Sequence, residues 1–428
     1  AKKSNLGVSK ETLIKMGCRA CPLRQEPEVL PSGANGGAAV YVLGDGPSPA
    51  DVKKQRVFSG KVGKVVRHAI PFDYEDLVRY GTTVFKAVPD DKAPSDIAMQ
   101  CCRPKVEDDI YQSGVKVVLG LGPTALKWAS GETSMHNWRG RRFPVRIKDK
   151  DMWFFVTHHA KDTLPLRWGD QQKPSDDEKQ ADRDISHLFA NYAVWPTPKV
   201  HTRDDWWQGV TYIDGRRGEA DLKKLERTLE ELSVDPVLGF DLETSGLRPY
   251  KEGFKILTAS VSNGEDTVAF PLDHKDGWDK SLRKRAHKIF LKWLKNNSAK
   301  IAHNLSFEME VVCVYYNDLQ LSRSVKWHDT LAQAYILDGR KGMNDLDTLV
   351  FLKFGFWIKD IFSGLDKSNL ENADLETLLK YNALDAKYTK MLFSQQQLDV
   401  QDAGMEQVYW DQMRRIPTCV LTQIKGLP

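Results

Sequence analysis

Two α/β layered domains in series are what this sequence predicts, and three observations carry that expectation. Its 428 residues exceed what one hydrophobic core normally organises, which points to two or three domains. Up to about Tyr192, apolar strand-like runs alternate with helical stretches, the pattern of an α/β layered domain. Beyond Thr211, an acidic strand, a hairpin with Asn263-Gly264 at its turn and several amphipathic helices predict a second sheet, of mixed direction and flanked by helices.

In the first region three buried-strand patterns stand out: Ala39–Leu43 before G-D-G-P-S-P, Val115–Leu121 before G-P-T-A-L-K-W, and Met152–Thr157 before H-H-A-K-D. Ligands of such a layered domain collect beyond the carboxyl ends of its strands. The G-D-G loop is not a dinucleotide fingerprint, because the third glycine and the later acid are missing. A charged loop, Q-Q-K-P-S-D-D-E-K-Q, leads to a closing helix over Asp176–Tyr192. The prolines of W-P-T-P-K-V-H-T-R-D-D-W-W predict an extended, semi-rigid linker, with Trp206 and Trp207 as docking groups at the domain boundary rather than base-stacking residues.

The second region opens with a strand near Val210–Ile213 and a helix over Glu219–Leu232, which lead to V-L-G-F-D-L-E-T-S-G-L at Val237–Leu247. Residues two apart on a strand share a face, so Asp241 and Glu243 point the same way, and two acids on a buried strand need a cation. After a helix over Lys280–Lys295, the stretch I-A-H-N-L-S-F-E reads as a strand running into a helix, with Asn304 as N-cap and Glu308 in the first turn. In the helical pattern Leu375–Leu392, the i, i+4 pair Tyr381 and Asp385 shares one face. Any one of these acids taken alone is better read as a solvated surface charge. Three stations in order, each on the element its chemistry requires, predict a common site. Carboxylates without His or Cys select Mg²⁺ or Mn²⁺ over zinc, and a pair of such ions suits phosphoryl transfer, with the tyrosine hydroxyl orienting the attacking water.

This ordered set resembles the DEDDy-type 3′→5′ proofreading exonucleases found in family A DNA polymerases. The resemblance runs from about Thr211 to Gln401 and implies a ribonuclease-H-like mixed sheet. It implies Asp241, Glu243 and Asp385 as ligands of two divalent cations and Tyr381 as the water-orienting phenol. It also implies Asn304 as a supporting asparagine, Leu247 as a wedge against the terminal base, and Thr244 and Phe307 as further substrate-binding residues. The family usually has Asp after N-x-x-[FY], whereas this chain has Glu308. Glu308 is one methylene longer and still able to reach a metal, so activity with altered ligand geometry is expected.

The loops of the first region resemble those of the family 4 uracil-DNA glycosylases, which implies a three-layer fold. There, G-E-[AG]-P-G precedes P-F-V-G-x-A-G; here G-D-G-P-S at Gly44–Ser48 precedes V-F-S-G-K-V-G at Val57–Gly63. The R-G loop matches Trp138–Phe143, and the H-P-S loop matches His159-Ala160-Lys161. The resemblance assigns Phe58 to stacking on a flipped base. Asp45 replaces Glu, Ser48 replaces Gly, Ala160 replaces Pro, and Thr83 stands where the family reads uracil with Asn. A threonine lacks the paired donor and acceptor of an amide, so a DNA-binding domain without glycosylase activity is expected. Cys18 and Cys21 match the first iron–sulfur pair and Cys102 the last ligand, while the third falls at Ala87, leaving only Cys101 to replace it. A [4Fe–4S] cluster, a zinc site and a metal-free Cys-x-x-Cys turn all remain open.

A net charge of +4 permits nucleic-acid binding without requiring it. No run of about 18 apolar residues occurs, and A-K-K-S-N-L-G lacks a signal-peptide core, so no membrane partner and a soluble, cytoplasmic protein are expected. Six cysteines in this length do not make a disulfide framework. After Gln401, E-Q-V-Y-W-D-Q-M-R-R-I-P-T-C-V-L-T-Q-I-K-G-L resembles the first helix of the family A polymerase module. That implies a downstream polymerase as partner, single-stranded or primer-template DNA as substrate, and an enzyme of bacteriophage type acting in the infected host cell; the missing initiator Met suggests a trimmed chain. The expected organisation is a glycosylase-like domain over 1–193, a linker over 194–209, an exonuclease domain over 210–402 and the start of a polymerase module over 403–428. A free-standing RNase-D-like exoribonuclease and a non-catalytic binding platform are the alternatives.

Overall fold

The computed structural model describes residues 9–162 and 175–426. Part of the charged loop expected before the closing helix, and the N-terminal A-K-K-S-N-L-G segment, lie outside the described residues. The chain divides into two compact units, Ala1–Val200 and His201–Pro428.

The first unit is built on a six-stranded sheet of β1 (Ser32–Gly33), β2 (Val40–Gly44), β3 (Val78–Thr82), β4 (Val117–Leu121), β5 (Arg141–Ile147) and β6 (Lys150–Thr157), in the order β1-β3-β2-β4-β6-β5. The four central strands run parallel, and β1 and β5 close the edges antiparallel. Parallel strands covered on both faces read as continuous apolar runs, and V-Y-V-L-G and V-V-L-G-L are buried at every position. The three anticipated strands are present, whereas β3 was not foreseen. Its sequence, V-R-Y-G-T, breaks the apolar run with Arg79, which is spent on Asp109 at 2.6 Å, and with Gly81, where a Cβ would fall 1.9 Å from the Tyr41 hydroxyl. The expected R-G loop is likewise corrected: from Arg141 onward it is strand β5, paired with β6. The closing helix is Asp176–Asn191, with Ser175 as its N-cap.

The second unit holds β7 (Val210–Tyr212), β8 (Val237–Thr244), β9 (Ile256–Ser262), β10 (Thr267–Pro271), β11 (Ala299–Ala302) and β12 (Trp327–Asp329), in the order β12-β11-β8-β9-β10-β7. Strands β8, β9 and β10 are antiparallel neighbours, while β11, β12 and β7 pair in parallel. The Asn263-Gly264 hairpin forms, but its loop spans four residues: Asn263 Oδ1 accepts the N–H groups of Glu265 and Asp266, and Gly264 takes φ 101°. One face of β8 sends Leu238, Phe240 and Leu242 into a core with Phe290, Trp293 and Trp327. The helix expected to end near Leu392 continues to Asp402.

The residues expected to form a linker are divided between the units. Pro196 accepts the Trp153 indole N–H in the first unit, and Trp206 and Trp207 pack on Phe356 and Phe362 in the second. Helix Glu406–Lys425 places Tyr409, Met413 and Val420 in the core of the second unit. No helix among the described residues is long and apolar enough to cross a membrane.

Candidate active site

On β8 the residues opposite the core face helix Leu375–Asp402. Gly239 makes this approach close: a Cβ there would lie 2.8 Å from the carbonyl oxygen of Ala386. Ser260 on β9 donates to the Asn382 carbonyl at 2.8 Å and fixes the helix along the sheet. The i, i+4 spacing then delivers Tyr381 and Asp385 to the end of β8 where Asp241 and Glu243 stand. Carboxylate oxygens of Asp241, Glu243 and Asp385 all lie within 4.8 Å of one another.

Glu308 comes from a different direction. Strand β11 ends at Ala302, and Asn304 turns the chain into helix Leu305–Tyr315 with φ 70° and ψ 54°, a left-handed conformation that asparagine tolerates. Asn304 stands at the N-cap position as expected, but its side chain does not cap. That work falls to Asp329, at the end of β12, whose buried carboxylate accepts the N–H of Asn304 at 3.1 Å and of Leu331 at 2.8 Å, tying two helix starts together. Sequence reading missed Asp329, although an acid just before T-L-A-Q-A-Y is a recognisable cap signal. One turn into its helix, Glu308 is buried, and the charges of Asp241 and Glu243 act on it. It stands outside the 4.8 Å set, and its Oε2 is buried without a hydrogen-bond partner.

Electrostatically this is a crowded site. Burial first, and mutual repulsion second, hold Glu243 and Asp385 well above the ordinary carboxylate range, and Glu308 behaves the same way. Burial pushes Asp241 up to about 6. Two unforeseen groups answer these charges. Asn382 donates to Asp241 Oδ2 at 2.7 Å, and Lys367 brings a positive charge that acts on Asp241, Glu243 and Asp385. Asn382 had a signal, since it lies beside Tyr381 in Y-N-A-L-D; Lys367 lies in a polar loop and had none. The Tyr381 phenol is buried beside the cluster and accepts a hydrogen bond from Lys367 Nζ at 2.6 Å.

Around this centre, Thr244 donates its hydroxyl to the Gly246 carbonyl at 2.8 Å and shapes the turn after β8. Leu247 beyond it is 83% exposed, so its side chain is available to a ligand. Phe307 packs partly against the core. The donor set of hard oxygen ligands, the crowding of negative charge and the orphaned Glu308 oxygen together fit divalent cations of the Mg²⁺ type.

In the first unit the Gly44 loop opens a cavity of about 300 Å³ lined by Asp45, Phe58, Thr82, His159 and Lys161 among others. Phe58 sits at φ 55°, with its ring tip where a Cβ on Gly44 would fall 2.7 Å away. His159 Nε2 lies 3.7 Å from Asp45 Oδ2, and His159 Nδ1 accepts the Lys161 N–H at 2.9 Å. Thr83 does not line the cavity: its N–H and hydroxyl both bind the Asp45 carbonyl, at 3.0 and 2.5 Å. The arginine of the R-G pair is tied to Asp184 at 3.2 Å.

Cys21, Cys101 and Cys102 are buried and Cys18 is exposed. Burial raises the Cys101 and Cys102 thiols to about 11, and Cys102 Sγ accepts the Phe85 N–H at 3.2 Å. Among the described residues, the carboxylate trio is the one group of three or more such side chains at single-ion distances, and the charges of Cys18 and Cys21 act on Cys101 and Cys102.

The mixed sheet carries converging carboxylates beside a phenol, and residues 218–401, which include them, match the family model described as 3′-5′ exonuclease. Residues 31–185 match the uracil DNA glycosylase superfamily. The chain therefore carries a glycosylase-superfamily domain followed by a 3′-5′ exonuclease domain of ribonuclease-H-like fold. Among solved structures it is similar to Escherichia coli RNase D, at 16% identity over 49% of this chain and 50% of that one, TM-score 0.37. Brucella melitensis NrnC gives 15% identity over 45% and 86%, TM-score 0.33, and the catalytic core of Trypanosoma brucei RRP6 gives 14% over 52% and 55%, TM-score 0.37.

Proposed function

We propose that the protein is a two-metal 3′→5′ exodeoxyribonuclease, the proofreading part of a family A DNA polymerase of bacteriophage type. The observation that carries this reading is the meeting of Asp241, Glu243 and Asp385 within 4.8 Å beside the Tyr381 phenol. Asp241, Glu243 and Asp385, with Glu308 behind them, are the residues to hold two Mg²⁺ or Mn²⁺ ions. Such ions supply an activated water and stabilise the leaving oxygen of an in-line displacement. Tyr381 would orient that water with its hydroxyl. Asn382 keeps Asp241 in one rotamer, and Asp329 fixes the turn from which Glu308 projects. Exposed Leu247 is placed to wedge against the terminal base, with Thr244, Asn304 and Phe307 shaping the approach. Single-stranded or primer-template DNA is the substrate, and helix Glu406–Lys425 leads into the polymerase module.

The first domain serves DNA binding without excising uracil. What supports this is the commitment of Thr83 to the Asp45 carbonyl and, among the described residues, a cavity lining without an Asn or Gln amide to read a base edge.

The test is hydrolysis of labelled single-stranded DNA, mismatched primer-template and the matching RNA in Mg²⁺, for wild type beside Asp241→Ala. Degradation of DNA from its 3′ end by wild type alone supports the proposal. Cleavage restricted to RNA would favour an exoribonuclease, since a 2′-hydroxyl requirement has no place in a proofreader. An inactive wild type would leave a binding platform.

A further inference from the structure

Lys367 stands apart from the groups assigned so far. It is an exposed residue in the loop between helix Ile358–Ile361 and helix Leu375–Asp402, yet its ammonium is turned inward. Nζ lies 4.5 Å from the centre of the Tyr381 ring and donates to its hydroxyl at 2.6 Å. The neighbouring turn is self-supporting, because Asp366 Oδ1 accepts both the N–H and the hydroxyl of Ser368. Nothing in that turn requires the ammonium to face the acids.

A phenol that accepts from an ammonium has less freedom to orient a water. Buried carboxylates gathered in one place gain from any cation within reach. Divalent ions would take over that balance and repel the ammonium. An exposed stem of four carbons can then swing toward an incoming anion.

We propose that Lys367 is the positioning residue and counter-charge of this site: it holds the Tyr381 phenol beside the carboxylates, gives up that place when divalent ions bind, and then meets the phosphate of the departing nucleotide. This rests on the reading above that the acid cluster holds divalent ions.

Two measurements on the full chain test it, using Lys367→Ala and the charge-preserving Lys367→Arg. Mn²⁺ binding, followed by electron paramagnetic resonance, reports on the counter-charge without any need for activity. Lys367→Ala should bind Mn²⁺ on the order of tenfold more tightly, because no ammonium has to be displaced. Its single-turnover rate on labelled single-stranded DNA at saturating Mn²⁺ should fall by about 10²-fold, with Lys367→Arg recovering most of the loss. A merely structural role would weaken both properties together. Unchanged or weaker Mn²⁺ binding in Lys367→Ala overturns the proposal, as does an unchanged rate. If wild type degrades no nucleic acid, the exonuclease reading fails, while the Mn²⁺ comparison still judges the counter-charge.

Discussion

The two units each place acidic and polar groups at the carboxyl end of a central strand, and they do opposite things with them. In the first, the groups largely answer one another: Thr83 binds the Asp45 carbonyl, the Lys161 N–H binds His159, and Arg139 is held by Asp184. In the second, Asp241, Glu243, Asp385 and Glu308 are driven together by β8 and two helices, with one amide and one ammonium against four acids. Buried charge of one sign costs folding free energy unless something outside the chain relieves it. The lesson is that the second arrangement needs a ligand to relieve charge of one sign, whereas the first pairs most of its groups within the unit and leaves Asp45 Oδ1 as a buried oxygen without a hydrogen-bond partner.

The strongest way to break this contrast is Asp241→Ala. On the proposed two-metal reading this variant loses several kcal/mol of charge stabilisation, so the exonuclease rate should fall by about 10³-fold or more in a primer-degradation assay. Tyr381→Phe keeps the ring and removes the hydroxyl, and a rate lower by about 10²-fold with little change in DNA affinity is expected from filter binding beside single-turnover kinetics.

Stability against pH sharpens the comparison next. Burial pushes the Asp241 carboxyl up to about 6 and holds its three neighbours well above the ordinary carboxylate range, which is about 4 in an unfolded chain. The folded, metal-free protein therefore binds protons that the unfolded chain releases. Its stability should fall as pH rises from about 4 through 6 and beyond. Thermal melts with EDTA should show that fall in the exonuclease unit, and Mg²⁺ should reverse most of it at neutral pH. A flat profile would mean that the crowding is relieved by some other route. Asp329, pushed up to about 6 by burial, adds a smaller share that Mg²⁺ leaves in place.

Tyr409→Phe probes the outer support. The Tyr409 hydroxyl accepts the Asp329 N–H at 3.3 Å and lies 2.9 Å from His328 Nδ1, so helix Glu406–Lys425 reaches the residue that fixes the Asn304 turn. Its removal should cost about 1 kcal/mol in denaturant unfolding and lower the exonuclease rate only a few-fold. In the first unit, a uracil-containing duplex should give no abasic sites with wild-type protein. Release of uracil would overturn the reading that this domain binds DNA without excising the base.

Much of the second unit was legible in the sequence because its signals are local. Alternation on Val237–Thr244, the i, i+4 pair Tyr381 and Asp385 and the helix Glu219–Leu232 each follow from the geometry of one element. The Asn304 position was legible too, but not its means of support, since Asp329 arrives from a strand 25 residues away. Strand β3 was hidden because Arg79 and Gly81 break its apolar run, and both are there to serve neighbours that sequence does not reveal.

The sequence by itself determined the two-domain α/β plan and the identity of the acids, because periodicity and residue type are properties of single elements. Only the tertiary structure decided which groups meet. It set Glu308 outside the carboxylate trio, committed Thr83 to the backbone, and brought Lys367 to the phenol. Those outcomes depend on packing between elements distant in the chain, where a few ångströms decide whether two charges share an ion or neutralise each other.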